Sequence, residues 1–134
     1  MKIIGFNLTK ISVERKDKLE GELEIKQNIN VDDIIKEKIE IAKEEAVKIK
    51  FTFSINYEPN LATVEFKGHV LTMPEKEETK KILKEWKNKK IPDEVRVGLF
   101  NFIMSKCNIK ALSLEDEMNL PTHVQMPKIS PKKE

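Results

Sequence analysis

Apolar and polar residues alternate most regularly between Val47 and Met73. Val47, Ile49, Phe51, Phe53, Ile55 and Tyr57 fall on every second position, with Lys48, Lys50, Thr52, Ser54 and Asn56 between them. A two-residue period sends such an apolar set to one face of a strand. Glu58-Pro59-Asn60 interrupts the run, because proline fixes φ and lacks an N–H while asparagine accepts the left-handed region. Leu61 to Met73 then returns as a second strand with Ala62, Val64, Phe66 and Val70 on one face, and Gly68 leaves a gap for a bulge or a close neighbour. Each large side chain gains roughly 1.5–3 kcal/mol on burial. The hairpin therefore predicts a covering layer, supplied by the rest of the chain or by another subunit.

The flanking segments are less regular. Ile4, Phe6 and Leu8, then Ile11 and Val13, form two alternating registers with a one-residue slip, which predicts a bulged strand over Lys2 to Arg15. Glu14 to Lys18 is charged and turn-like, and Leu19, Gly21, Leu23, Ile25, Ile29 and Val31 suggest a second strand. Residues 31–46 fit two patterns. Ile35, Ile39, Ala42 and Ala46 suit a helical stripe capped by Asn30 or Asp32, whereas Ile39 and Ile41 suit a strand leading into the hairpin. Beyond the hairpin, Ile82, Leu83 and Trp86 lie on one narrow helix face whose other side is lysine. Pro92-Asp93-Glu94 opens a long helix running to Met118, since proline and acids suit a helix N-terminus. Phe100, Met104, Cys107, Ala111, Leu114 and Met118 form one apolar row on it, and Val95, Leu99, Phe102 and Ile103 a second. Two rows suggest more than one covered face, as when a helix packs on its own sheet and also meets another subunit, although a methionine stripe on a helix is also ordinary core. Asn119-Leu120-Pro121 ends the helix, and residues 119–134, with Pro127 and Pro131, read as an extended arm. The pattern as a whole gives an α+β fold within a single domain over 1–134.

Composition narrows the picture only modestly. At 134 residues there is room for one domain with a substantial core. Twenty-five basic residues stand against 23 acidic ones, and the net charge of +2 gives no reason to expect a generic polyanion binder. Arg15 and Arg96 are the only arginines, so the basic surface is lysine. A solitary Cys107 makes no internal disulfide, and no signal-type core or membrane-length apolar run is present, which points to the cytoplasm.

Catalytic and metal chemistry find few candidates. His69 and His123 are the only histidines, and with Cys107 they have none of the short spacings of a zinc site, so no metal or cofactor is expected. Carboxylates are interleaved with lysines on stretches that read as solvated, and Cys107 lies on an apolar row. The expectation is a protein that is not an enzyme. A histidine paired with a carboxylate in a deep polar pocket would argue against it. Trp86 among Lys84, Lys87 and Lys90 could stack a base while the ammonium groups hold phosphates, which makes a nucleic-acid-binding module the alternative function. An amphipathic helix with a lysine outer face accounts for the same residues, and Glu75, Glu77, Glu78 and Glu85 dilute the field.

Three runs carry a family resemblance. Ile91-Pro92 through Leu99-Phe100, and on to Asn119-Leu120-Pro121-Thr122-His123-Val124, is similar to the helix start and post-helix segment of the SecB family of export chaperones, with its Cys-Pro, Leu-Phe-Pro and Leu-x-Leu-x-Pro-Val-like patterns. Phe6 to Glu14 resembles that family's first strand, and Val64 to Val70 its last strand and glycine. The resemblance implies an α+β fold with an antiparallel sheet of about four strands packed with a long C-terminal helix, and a dimer or dimer of dimers whose apolar grooves hold unfolded polypeptide without ATP, linked to protein export. Candidate client contacts are Phe100, Met104, Met118, Leu120 and Val124, chosen for their places on the helix and arm. The family's short terminal helix and its acidic, motor-binding surface have no counterpart in the sequence, and neither does the lysine-rich segment 75–90 in the family.

Overall fold

A computed structural model describes residues 2–18, 20–39 and 44–131. Four strands, β1 (Lys2–Arg15), β2 (Glu24–Ile39), β3 (Glu44–Glu58) and β4 (Ala62–Met73), are followed by α1 (Lys76–Trp86) and α2 (Asp93–Glu117). The strands form one antiparallel sheet in the order β1-β4-β3-β2. This is the α+β arrangement read from the sequence, with the long helix within one residue of its expected start and end.

The hairpin occupies the sheet centre. Phe53 pairs with Phe66, Ile55 with Val64 and Ile49 with Val70, so the odd positions of β3 and the even positions of β4 share one face. On β3 that face is buried from Val47 to Tyr57. Both helices supply its cover, since Ile82 of α1 and Val95, Leu99, Ile103, Cys107 and Ala111 of α2 join the same core. Asn60 adopts φ 58°, the left-handed turn residue expected of it. The opposite sheet face carries Lys48, Lys50, Thr52, Ser54 and Asn56, none of them buried.

At Gly68 the close neighbour is the edge strand. A Cβ there would lie 2.2 Å from the Asn7 carbonyl oxygen, so only glycine lets β1 pack against β4 at this point. The β1–β4 register slips between Ile3 and Gly5 and again between Leu8 and Lys10, and the second slip is the bulge expected from the change of alternation. Residues 16–18 and 20–23 lie between the two edge strands, beside the hairpin tip. Lys16 N–H donates to Leu61 O, and Gly21, at φ 98°, passes Pro59.

The ambiguity over residues 31–46 resolves in favour of strand for 31–39 and 44–46. β2 runs to Ile39 and pairs with β3 as far as Glu44, with a register shift between Val31 and Asp33 that moves Ile34 onto the buried face. Leu23 precedes β2, and Gly21 lies in the connection rather than in the strand. Leu19, Ile41 and Ala42, used in the sequence reading, lie outside the described residues.

Both helices end in the same way. Lys89 (φ 58°) and Asn119 (φ 53°) take the left-handed position, and the next residue's N–H reaches back, Lys90 to Glu85 O and Leu120 to Glu115 O. This helix stop turns the chain sharply and drives its following apolar residue inward. Leu120 is accordingly buried. α2 lacks a basic side chain in its last turn, and Arg15 of β1 serves instead, its Nη1 donating at 2.6 Å to the carbonyls of both Met118 and Asn119.

Candidate functional site

The buried line of α2 is Val95, Leu99, Ile103, Cys107, Ala111 and Glu115, spaced by four. Each four-residue step overshoots a full turn by about 40°. The covered side thus winds around the helix from start to end. This winding explains much of the two-row pattern without a second partner: Phe100, Phe102, Met104, Leu114 and Met118 flank the line and are half-buried. On the opposite line the aliphatic side chains Val97 and Ile109 remain 60% and 73% exposed. Neither belongs to the rows read from the sequence.

Among the candidate client contacts, Phe100, Met104 and Met118 lie along α2 and Val124 on the arm, all half-buried, whereas Leu120 is only 6% exposed and forms part of the core. The first four present apolar surface at the molecule's exterior. Leu120 does so only when the arm leaves its seat. Further along, Met126 and Ile129 are exposed.

The arm's seat contains chemistry that the sequence reading did not find. Glu115 occupies the sixth slot of an otherwise apolar line, and its side chain and that of His123 are fully buried. His123 Nδ1 lies 2.7 Å and 3.0 Å from the two Glu115 carboxylate oxygens, and the His123 backbone N–H donates to Oε1 at 3.2 Å. The Tyr57 hydroxyl lies 2.9 Å from Glu115 Oε2 and 2.6 Å from the Pro121 carbonyl. His123 Nε2 contacts Asn108 Oδ1 at 2.7 Å, and the ring meets Phe53 edge to face. Burial, the hydrogen bond to Glu115 and its negative charge all push the Tyr57 phenol pKa upward, so it stays a donor. Among the described residues no buried side-chain nitrogen or oxygen is left unpartnered.

A histidine paired with a carboxylate in a deep polar pocket is the feature that would argue against a non-catalytic protein; the pair is present, and three clefts lie elsewhere on the molecule. A cleft of about 630 Å³ where α1 meets α2 is lined by Lys81, Glu85, Lys89, Lys90, Asp93 and Arg96 among others, and two smaller clefts lie near the hairpin tip. None is lined by His69, Cys107 or His123. The Cys107 thiol, enclosed by apolar neighbours, is pushed up to about 12. His69 sits on the open sheet face, where burial and then Lys48 hold its ring below the ordinary histidine range. No group of three or more metal-ligating side chains gathers among the described residues. No described helix is long and apolar enough to cross a membrane.

Trp86 is engaged within the protein. Its indole N–H donates to Asp33 Oδ1 at 3.2 Å, and the Lys89 ammonium lies 4.6 Å from the ring centroid. Lys84, Lys87 and Lys90 are exposed around it. The indole therefore packs α1 against the bulge of β2, and one ring face already carries a cation.

No protein-family model matches the sequence. No curated protein matches it either. Among solved structures the chain is similar to the Mycobacterium tuberculosis SecB-like chaperone Rv1957, in complex with a ChAD peptide from the Rv1956 HigA1 antitoxin. Identity is 14%, the match covers 98% of this chain and 92% of that one, and the TM-score is 0.51. The likeness is one of fold. It extends through sheet, helices and arm.

Proposed function

We propose that this protein is an ATP-independent chaperone of the SecB-like type, holding non-native polypeptide on apolar surface along α2 and the arm, in the cytoplasm and as a homo-oligomer. The observation that carries the reading is the combination of that fold, matched over nearly the whole chain, with Phe100, Met104, Met118 and Val124 half-open along one helix and its arm. Partly exposed methionine and phenylalanine suit varied apolar clients, because an unbranched thioether adapts to different shapes. The outer sheet face mixes Lys48, Lys50 and Lys67 with Glu37 and Glu65, so an acidic surface for an export motor is not part of the proposal.

The test is suppression of aggregation of a chemically denatured model protein. At molar excess the chain delays light scattering, and Met104→Glu weakens the effect several-fold while leaving the fold's circular dichroism unchanged, since a charge on a half-buried client surface costs binding. No suppression by the wild-type chain would overturn the reading. Binding of the unfolded protein changes little with salt, whereas an RNA oligomer held by the α1 lysines would lose affinity with a log–log slope of about −0.7 per phosphate contact.

A further inference from the structure

We propose that residues 120–124 fill, from within the chain, a polypeptide-binding seat between α2 and β3, and that a non-native chain enters this seat by displacing them. The inference rests on the chaperone reading above and adds a site to it. The seat holds the arm as a site for many sequences would hold a guest. Two of its polar contacts are to main-chain groups: the Tyr57 hydroxyl lies 2.6 Å from the Pro121 carbonyl oxygen, and Glu115 Oε1 accepts the His123 backbone N–H at 3.2 Å. Carbonyls recur at every residue of a polypeptide and N–H groups at every residue but proline, so an extended guest can repeat both bonds whatever its side chains. The rest of the seat is apolar. Leu120 is buried in the core, and Phe53 meets the arm edge to face.

Little else ties the arm down. Among the described residues its last backbone-to-backbone hydrogen bond runs from Leu120 N–H to Glu115 O, and residues 121–131 belong to no helix or strand. Pro121 and Thr122 are exposed, as is every described residue from Gln125 onward, and the Thr122 hydroxyl bonds only within the arm, to Val124 O. The arm can therefore leave without opening a sheet ladder. What it has and a guest lacks is the His123 ring, whose Nδ1 lies 2.7 Å and 3.0 Å from the two Glu115 oxygens. This contact keeps the seat filled when no guest is present. Displacement uncovers Phe53 and Tyr57 on the sheet side and turns Leu120 outward on the arm, so client surface grows on both. An arm docked about nine-tenths of the time weakens the client's apparent affinity about tenfold relative to an open seat.

Hydrogen exchange of the full chain, alone and saturated with a reduced and alkylated model protein that stays unfolded, tests the displacement. Client binding accelerates exchange at the Leu120 and His123 amides at least about tenfold, while β3 and β4 amides keep their rates. His123→Ala removes the part of the contact that only the arm supplies, and it binds the same client about three- to tenfold more tightly. Protection of its β3 and β4 amides checks that it folds, and the wild-type exchange result decides the matter alone if it does not. Client binding that leaves the His123 amide as protected as before would overturn the displacement while the chaperone reading stands. A folded His123→Ala that binds no more tightly would do the same. A chain that binds no unfolded protein, with or without the substitution, overturns both.

Discussion

At single residues, the strongest constraints come from groups with no room to change. Gly68 is the clearest, because the atom that a Cβ would meet is the Asn7 backbone rather than a movable side chain. Gly68→Ala must push β1 away from β4, and we expect a loss of about 2–3 kcal/mol in urea unfolding, with exchange accelerated first in β1. Cys107 and Tyr57 set the response to alkali. Both have folded-state pKa values raised by burial, so the unfolded chain gives up its protons first and binds fewer of them. Stability from these groups is complete below the unfolded values, roughly 9 for the thiol and 10 for the phenol, and falls above them. Each contributes a slope of roughly 1.4 kcal/mol per pH unit while only its unfolded form is ionised. Thermal unfolding followed from pH 8 upward checks this. Cys107→Ala removes the first segment of the decline, and Tyr57→Phe the second.

The elements show what an alternating pattern can and cannot say. Val47 to Met73 was legible because period two has no competing reading over so many residues, and the Lys2–Arg15 slip correctly marked a bulge. Residues 31–46 were ambiguous because β2 is an edge strand whose register shift at Asp33 breaks the alternation, so its apolar residues fall at helical and extended spacings alike. The α2 rows were misread for a geometric reason. A buried line that advances by four winds around the helix, and no fixed face captures it. Glu115 could not be recognised from its neighbours, since the partners that make its burial tolerable, Tyr57 and His123, come from a strand 58 positions earlier and an arm eight positions later. Leu114-Glu115-Asp116 reads as a solvated helix end; only the Asn119 stop, which folds the arm back, brings His123 to it. Arg15 is similarly invisible as a helix cap, lying 103 positions from Met118. Arg15→Met should cost about 1 kcal/mol in denaturant stability, with fraying confined to the last turn of α2, because an exposed charge–carbonyl contact is worth less than a buried one. Arg15→Lys should recover part of it.

For the whole molecule, exposed apolar side chains lie on the edge strands (Ile4, Ile11, Ile35), on the arm (Met126, Ile129) and on α2 (Val97, Ile109). The sheet's apolar face is filled from within the chain, so another subunit is not needed to bury the hairpin. On α2 the two most exposed aliphatic side chains of the helices share its outer line. It runs Val97, Asn101, Ser105, Ile109, Ser113 and Glu117, exposed at every position and polar at four of the six, with Val97 and Ile109 as its aliphatic members. Phe100 and Met104 lie beside it, half-open. A mixed stripe of this kind resembles a reversible interface more than a domain core cut in half, in which charged and small polar positions would be few. The proposed homo-oligomer then associates through α2 with an affinity that dilution can reach. Sedimentation velocity across the micromolar range should show a concentration-dependent step from monomer to dimer or tetramer. Val97→Lys combined with Ile109→Lys should shift that step to higher concentration by roughly tenfold or more, since two buried aliphatics are replaced by like charges that meet across a symmetric contact. Both side chains are solvent-facing within one subunit, so the urea midpoint of the isolated chain stays the same. An association unaffected by the pair would move the interface to the exposed edge of β1 or β2, and a monomer at every concentration would leave chaperone activity, if present, to a single copy of the helix and its arm.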